Sequence, residues 1–397
     1  MRFITRLHVC AAVTLVTILY FNWRRPSTAY LKDNLQRAWK NSARRIVVFG
    51  DEWSDTGNYR MSPPPKGSTR DRIAAQGDIW VETLCKELTC DWVDNFARSV
   101  PDNVGLEAVG PMVDSNILLD VTSGSRKEML AVFDFKMQVQ QFIEFEKKKW
   151  RMPGRHSAAD EQSVFTVLFG TWDLLLFSPL DKAAAIRAID RSVKELFHNL
   201  DVLADHVGTP KVIVPNLMDV TFLPRYSDRK NEPATEFAQK QHQAVFLWSY
   251  WNTALSQAAS EWTRGDVFVP NLHDIVIDEV RAKQMFTNRI ADAKGNGRQE
   301  PLFEEVEKPC LVQDSNAQNL QAAAHPCTDP STHLFWDDMH LSGPAHQLIG
   351  QEAARLVRGN EVSNSDARQR AKLQSATDEK SEGDKGANFD LKFPPGY

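Results

Sequence analysis

Short apolar runs alternate with longer helical segments through most of the chain, and this alternation predicts the architecture. The runs with the character of buried parallel strands are residues 46–49, 92–97, 164–169, 211–215 and 267–269. The segments that predict helices are residues 78–88, 135–150, 181–206, 236–263 and 343–358. Strands separated by helices are typical of βαβ units. We therefore expect an α/β fold with three α/β/α layers around a doubly wound parallel sheet of about five strands.

The N-terminal apolar run lies outside this pattern. Residues 7–23 are almost continuously apolar, which is short for a membrane-spanning helix and long for the core of a signal peptide. Ser27-x-Ala29 is only a weak cleavage site. We expect residues 1–23 to form an uncleaved, single-pass signal anchor in a membrane. The alternative is a secreted protein whose signal peptide is removed.

Composition divides the remainder of the chain into three parts. Residues 24–44 are polar and basic and predict a juxtamembrane stalk, whereas residues 45–358 carry the strand and helix pattern of one domain. Residues 359–397 are charged with few apolar positions, which is typical of a disordered tail. At 42% hydrophobic and 25% charged residues, the chain as a whole is neither fibrous nor disordered.

Charge is distributed unevenly along the chain. Residues 1–45 carry a net charge of +8, which leaves −13 on the remainder of a chain whose formal net charge is −5. The acidic body argues against nucleic acid as a partner, because phosphate binding requires a basic face. The basic segment lies beside the apolar run, so it favours contact with a membrane surface.

The cysteines bear on the compartment. Cys10 lies in the apolar run, and the other four form two local pairs, Cys85 with Cys90 and Cys310 with Cys327. Even, local pairing favours disulfides and an oxidising compartment, with four buried thiols as the alternative. The basic residues after the apolar run favour a cytosolic body instead. We expect the body on the lumenal or extracellular side.

Polar turns follow three of the predicted strands. The turns are Gly50-Asp51-Glu52, Asn95-Phe96-Ala97 and Gly170-Thr171-Trp172-Asp173. In doubly wound sheets, ligands bind beyond the carboxyl ends of the strands. We therefore expect these turns to surround a single crevice.

Two longer motifs carry the most specific signal. Residues 49–58 are FGDEWSDTGN, and residues 335–343 are FWDDMHLSG. Together they resemble the GDSL family of esterases and lipases, the SGNH hydrolases. Shorter stretches agree in order, at residues 80–82, 95–97, 138–142, 170–173 and 252–255. The resemblance covers about residues 45–358, nearly the whole predicted domain.

The resemblance implies a Ser–His–Asp hydrolase that acts on carboxylic esters, with an ester-containing lipid or an acylated glycan as its ligand. The family's aspartate and histidine, three positions apart, match Asp337 and His340. The position of the family's serine holds Glu52. The positions of the glycine and the asparagine that bind the oxyanion hold Val100 and Trp172.

These substitutions change the chemistry that the resemblance implies. His340 cannot convert a carboxylate at position 52 into an alkoxide, and losing one oxyanion donor costs about 2.7–4 kcal/mol in a serine protease. We expect a catalytically degenerate acylhydrolase that retains a binding cleft, with Glu52 and Asp337 flanking His340 in an ion cluster. One alternative is an active hydrolase that uses Glu52 as nucleophile or base and His340 as acid. Another is a non-enzymatic membrane scaffold.

Polar residues next to these motifs have a structural and a catalytic interpretation. We expect Ser54 to cap a turn, with a replacement nucleophile as the alternative. Asp55 and Asp173 are expected to accept turn and cap hydrogen bonds, with a catalytic carboxylate as the alternative. Asp51 is expected to be a buried acceptor, and Asp338 is the register alternative for the family's aspartate.

No metal or cofactor is expected. His333 and His346 flank His340 at spacings that suit neither a helical nor a turn-based set of metal ligands. The glycines of the polar turns do not form a phosphate-binding fingerprint, so a nucleotide cofactor is not indicated.

Overall fold

A parallel sheet lies at the centre of the computed structural model, which describes residues 45–59, 74–99, 110–121, 134–149, 163–227, 233–293, 295–313 and 324–370. Its five strands are arranged in the order β2-β1-β3-β4-β5. They are β1 (Arg45–Gly50), β2 (Trp92–Asn95), β3 (Ser163–Leu168), β4 (Lys211–Ile213) and β5 (Asp266–Phe268). All neighbouring strands pair in parallel, which confirms the predicted doubly wound α/β sheet.

Helices connect the strands and cover the sheet. They include α1 (Trp80–Glu87), α2 (Ser115–Val121), α3 (Phe135–Lys149), α4 (Thr171–Phe177), α5 (Lys182–Val207), α6 (Pro224–Ser227), α7 (Ala234–Glu261), α8 (Leu272–Thr287) and α9 (Gly343–Gly359). Right-handed crossovers put α1 on one face and α3, α5 and α7 on the other. Accordingly, α9 packs against α1, and α5 packs against both α3 and α7.

The core is centred on β1, whose residues are all buried. A central parallel strand is covered on both faces, so it forms a continuous apolar run in the sequence. The Phe49 ring contacts the rings of Phe96, Phe135 and Phe142, with centroids 5.7–5.8 Å apart. These contacts pack the end of β1 against α3, the helix that connects β2 to β3. They therefore fix the edge of the sheet where the polar turns lie.

Arg45 is a charged exception within this core. Its side chain is fully buried, Nε donates to Asp94 Oδ2 at 2.6 Å, and Nη2 donates to Glu146 Oε1 at 2.9 Å. Arg45 contributes to the net charge of +8 on residues 1–45, but it is also the first residue of β1. Two buried carboxylates neutralise its guanidinium inside the domain.

The folded domain extends beyond the predicted boundary at residue 358. The backbone amide of Ser363 donates to the Val267 carbonyl at 2.8 Å. The buried Asn364 side chain accepts from the Val267 amide at 3.2 Å and donates to the Gly265 carbonyl at 2.8 Å. The prediction of a tail from residue 359 onward was therefore wrong for these residues, which cover the edge strand β5. Residues 371–397 lie outside the described residues.

Both predicted disulfides are present. They join Cys85 to Cys90 and Cys310 to Cys327, with Cα–Cα distances of 5.0 and 4.8 Å. The second lies beside an antiparallel hairpin of β6 (Leu311–Gln313) and β7 (Ala324–Pro326), which the sequence pattern did not predict.

The predicted signal anchor and stalk, residues 1–44, lie outside the described residues. Within the ranges that are described, no helix is both long enough and apolar enough to cross a membrane.

Candidate active site

The turn after β1 places Glu52 at the carboxyl edge of the sheet. The Asp51 carbonyl accepts from the Ser54 amide at 3.0 Å, which reverses the chain directly after the strand. A Cβ at Gly50 would lie 2.8 Å from Ser54 Cβ and 2.9 Å from the Leu168 carbonyl oxygen. Glycine therefore permits the close approach between this turn and β3.

Gln138, from α3, holds the same turn by its side-chain amide. Oε1 accepts from the Gly50 amide at 2.9 Å, and Nε2 donates to the Gly50 carbonyl at 2.8 Å. A carboxamide can satisfy a backbone donor and a backbone acceptor at once. Gln138 thereby fixes the end of β1 and the residues that follow it, including Glu52.

The second motif brings Asp337 and His340 together. The Asp337 carboxylate accepts from the backbone amides of Met339 and His340 at 2.8 and 2.7 Å. Both of its oxygens lie 2.8 Å from His340 Nδ1. Nδ1 therefore donates to Asp337, and Nε2 is the ring nitrogen that faces the turn after β1. This is the aspartate–histidine pair that the family resemblance predicted.

Asp338 binds Arg225, and this shows which of the two adjacent aspartates pairs with His340. Its carboxylate accepts from Arg225 Nε at 2.7 Å, and its carbonyl accepts from the Arg225 amide at 3.0 Å. These bonds join α6 to the loop that carries Asp337. The register alternative in which Asp338 orients His340 is therefore wrong.

Glu52 and Trp172 meet in front of the imidazole. Trp172 Nε1 donates to Glu52 Oε1 at 2.6 Å, and the same oxygen lies 4.0 Å from His340 Nε2. All three side chains are largely buried. Two positions that the resemblance assigns to the nucleophile and to an oxyanion donor are thus in contact with each other. Glu52 and Asp337 flank His340, as the predicted ion cluster requires.

The Trp172 indole is seated against backbone. A Cβ at Gly110 would lie 1.9 Å from Trp172 Nε1, so the ring occupies the space beside this glycine. Gly170 precedes α4 with a φ of 121° and lies against Leu217 and Trp251. This glycine allows the sharp entry into α4 that presents Trp172. Val100, the third substituted position, lies outside the described residues.

Two fully buried carboxyls lie beneath this edge of the sheet. Burial, together with the neighbouring charge of Glu52, raises the pKa of Asp51 well above its usual range. Burial likewise raises the pKa of Asp173 to about 7, against opposing hydrogen bonds from Ser192 and the Val113 amide. Asp51 also accepts from a backbone amide in its own turn, so it is a buried acceptor, as expected. The turn and cap bonds predicted for Asp173 are replaced by bonds from Val113 and Ser192, which are distant in the sequence.

The first turn is organised by Asp55. Its carboxylate accepts from the Gly57 amide at 2.9 Å, from Asn95 Nδ2 at 2.7 Å and from the Tyr59 hydroxyl at 2.6 Å. The expected turn bonds are confirmed, and Asn95 links the turn to the end of β2. The cap predicted for Ser54 was wrong, because the described bond of its hydroxyl is with Trp80 Nε1, at 3.2 Å.

The arrangement is an oriented imidazole with a carboxylate at the position that the resemblance assigns to the nucleophile. Neither the positioning role of Gln138 nor the bond of Arg225 with Asp338 was predicted from the sequence. Gln138 carried a signal, because it lies in one of the stretches that match the family in order. Arg225 carried none, since its bond with Asp338 spans 113 positions.

The fold and the Asp337–His340 pair define an α/β protein of the SGNH hydrolase class. The GDSL-like lipase/acylhydrolase family model matches residues 46–353. The chain therefore belongs to this family.

Solved structures that match this chain include a carbohydrate acetylesterase, Est24 from Sinorhizobium meliloti, at 12% identity and a TM-score of 0.35, covering 80% of this chain and 99% of that one. Phospholipase A1 from Streptomyces albidoflavus NA297 matches at 11% identity and a TM-score of 0.34, covering 80% and 100%. A lipase/acylhydrolase from Enterococcus faecalis matches at 13% identity and a TM-score of 0.28, covering 80% and 96%. The search of curated proteins found no match.

Proposed function

We propose that the chain is a non-hydrolytic member of the GDSL family that binds an ester-bearing lipid or an acylated glycan without cleaving it. The observation that carries the proposal is the 2.6 Å bond from Trp172 Nε1 to Glu52 Oε1. The family match supports an ester as the class of ligand. The substitution of its nucleophile position argues against turnover.

Serine chemistry requires a hydroxyl next to the imidazole and N–H donors for the oxyanion. Glu52 lies at the position of the hydroxyl, and attack by its carboxylate on an ester would give an anhydride instead of an acyl-serine. The Trp172 N–H already binds Glu52. Trp172 also fills the space beside Gly110, and a large indole next to Glu52 leaves less room for the acyl group of an ester.

The serine chemistry is tested by labelling the purified full chain with a fluorophosphonate probe and mapping any adduct by mass spectrometry. We expect no adduct. An adduct on Ser54 that disappears in Ser54→Ala would overturn the proposal in favour of an enzyme with a displaced nucleophile.

Ligand binding is tested by calorimetry with acetylated xylo-oligosaccharides and with dihexanoyl-phosphatidylcholine. We expect one of the two to bind and His340→Ala to weaken that binding. His242→Ala, at an exposed position on α7, is the matched control and should leave it unchanged. Absence of binding by both ligands would contradict the proposal and favour the scaffold.

We also propose that residues 1–23 anchor the chain in a membrane, with the body on the lumenal or extracellular side. The apolar run at residues 7–23 and the two disulfides in the body support this. Carbonate extraction of membranes from expressing cells tests the anchor. Full-length protein in the pellet is expected, and a soluble chain that begins near residue 30 would show a cleaved signal peptide instead.

A further inference from the structure

A second concave surface lies between α7 and the turn that joins β5 to α8. It is a groove of about 630 Å³, within the range typical of small-molecule sites. One wall is a polar stripe on α7, with side chains at helical spacing. The stripe consists of Ser249, Asn252, Thr253, Ser256, Gln257 and Ser260. We call this surface the α7–α8 groove.

Hydroxyls and carboxamides dominate the chemistry of the groove. Neither lysine nor arginine is among the residues that line it, so it lacks the cations that bind a phosphate or a sulfate. Asp274 supplies a carboxylate, which accepts from Asn271 Nδ2 at 2.7 Å. Burial lowers the pKa of His273, which favours a neutral imidazole at neutral pH. Such a lining suits an uncharged ligand with many hydroxyl groups, because both hydroxyls and amides donate and accept.

Trp248 forms an aromatic wall at one end of the groove. Its Nε1 donates to the Leu217 carbonyl at 2.7 Å, and its ring lies 4.3 Å from the ring of His273, centroid to centroid. The indole is half-buried, and the hydrogen bond and the ring contact together fix its orientation. A fixed, partly exposed aromatic face can pack against the apolar C–H face of a pyranose ring while the sugar hydroxyls reach polar neighbours.

The rest of the groove is held in place before any ligand arrives. Asn252 accepts from the Leu217 amide at 2.9 Å and donates to the Leu217 carbonyl at 2.8 Å. Asn216 donates to Asn271 Oδ1 at 2.8 Å and accepts from the His273 amide at 3.3 Å. Preorganised polar groups reduce the ordering entropy that binding must overcome.

We propose that the α7–α8 groove binds a neutral oligosaccharide, with Trp248 packing against a sugar ring and Ser249 and Ser256 hydrogen-bonding to sugar hydroxyls. Both serines line the groove and are exposed. None of the residues that line the groove belongs to the Glu52 site, although Leu217, which is bonded to Trp248, also lies against Gly170 at the entry to α4. The inference therefore stands whether or not the Glu52 site binds an ester.

Calorimetric titration of the full chain with unacetylated xylohexaose, cellohexaose and mannohexaose tests the proposal, with tri-galacturonate as the charged comparison. Ser256→Trp fills the groove from an exposed position, and Trp248→Ala removes the aromatic wall. Tyr250→Ala, an aromatic change on the same helix outside the lining, is the matched control. Thermal melting confirms that each variant is folded.

We expect at least one neutral hexasaccharide to bind and Ser256→Trp and Trp248→Ala each to weaken it by about tenfold or more. Tyr250→Ala and His340→Ala should leave this affinity unchanged, the latter because the Glu52 site is separate. Three outcomes would each overturn the proposal. They are no binding of any hexasaccharide at millimolar concentration, binding that survives Ser256→Trp, and binding of the uronate alone.

Discussion

Trp172 donates its indole N–H to Glu52 at 2.6 Å, so the two positions that the family resemblance assigns to the nucleophile and to an oxyanion donor form a bonded pair. Under the proposed function, each substitution by itself removes a catalytic group. Together the two side chains satisfy each other, because the Glu52 carboxylate accepts from the Trp172 indole. The pair forms a buried polar contact in front of His340.

The pair should be energetically coupled. Trp172→Phe removes the donor from a buried carboxylate, and we expect it to lower the free energy of unfolding by about 1–3 kcal/mol. Glu52→Gln keeps an acceptor oxygen and should cost less. Denaturant unfolding of both single variants and the double variant gives the coupling. Strictly additive effects would show that the contact contributes nothing to stability.

Asp173 should make stability depend on pH. Its folded-state pKa is about 7, raised by burial from an ordinary value near 3.8. Between these values the unfolded state releases the proton and the folded state retains it, so the free energy of unfolding falls as pH rises from 4 to 7. Above pH 7 the contribution of Asp173 to the free energy of unfolding no longer changes with pH.

Asp173→Asn tests this dependence without changing the shape of the side chain. The difference between wild type and variant in free energy of unfolding should change by a few kcal/mol between pH 4 and 7. Asp278→Asn, at an exposed position on α8, is the control. Parallel pH profiles for wild type and Asp173→Asn would contradict the burial of a protonated carboxyl.

Arg45, the first residue of β1, should be essential for stability. Arg45→Met leaves the carboxylates of Asp94 and Glu146 buried without their cation, and we expect a loss of about 3–5 kcal/mol. Arg264→Met, which breaks an exposed pair with Asp205, is the matched control and should change stability little. Urea unfolding of both variants measures the contrast. Equal effects would mean that the buried triad is no more important than a surface ion pair.

The two disulfides should differ in their contribution. Cys310 and Cys327 are 17 positions apart, whereas Cys85 and Cys90 are 5 apart, and the longer loop loses more entropy when it is closed. The Cys310 amide also donates to the Phe335 carbonyl at 3.0 Å, close to Asp337. Cys310→Ser/Cys327→Ser should therefore lower the melting temperature more than Cys85→Ser/Cys90→Ser. The reverse order would contradict this account.

The sheet could be predicted from sequence because its strands are buried on both faces and therefore form continuous apolar runs. The amphipathic helices α1, α5 and α9 were predictable for a different reason. One face of each is packed, so their apolar residues recur at helical spacing. Helix α8 was missed, because its buried residues are confined to the narrow stripe Leu272, Val276 and Val280. Helix α4 was missed because seven residues are too few to show a helical period.

The residues of the site also divide into those that local spacing predicts and those that only the tertiary fold brings together. Asp337 and His340 are three positions apart, so local spacing identified them. Glu52 and Trp172 are 120 positions apart, and only the pairing of β1 with β3 brings them together. Serine before aspartate is typical of a cap, which is the basis of the prediction for Ser54. In the structure its hydroxyl accepts from Trp80 Nε1, a contact that only the tertiary fold creates.

The most direct test of the central claim is the turnover of nitrophenyl acetate by the wild-type chain and by His340→Ala. The same assay is run on Glu52→Ser/Val100→Gly/Trp172→Asn, which restores the family's residues, with and without His340→Ala. We predict equal background rates for wild type and His340→Ala, and His340-dependent turnover in the restored variant. Wild-type turnover that His340→Ala or Glu52→Gln abolishes would contradict the account and establish an active hydrolase.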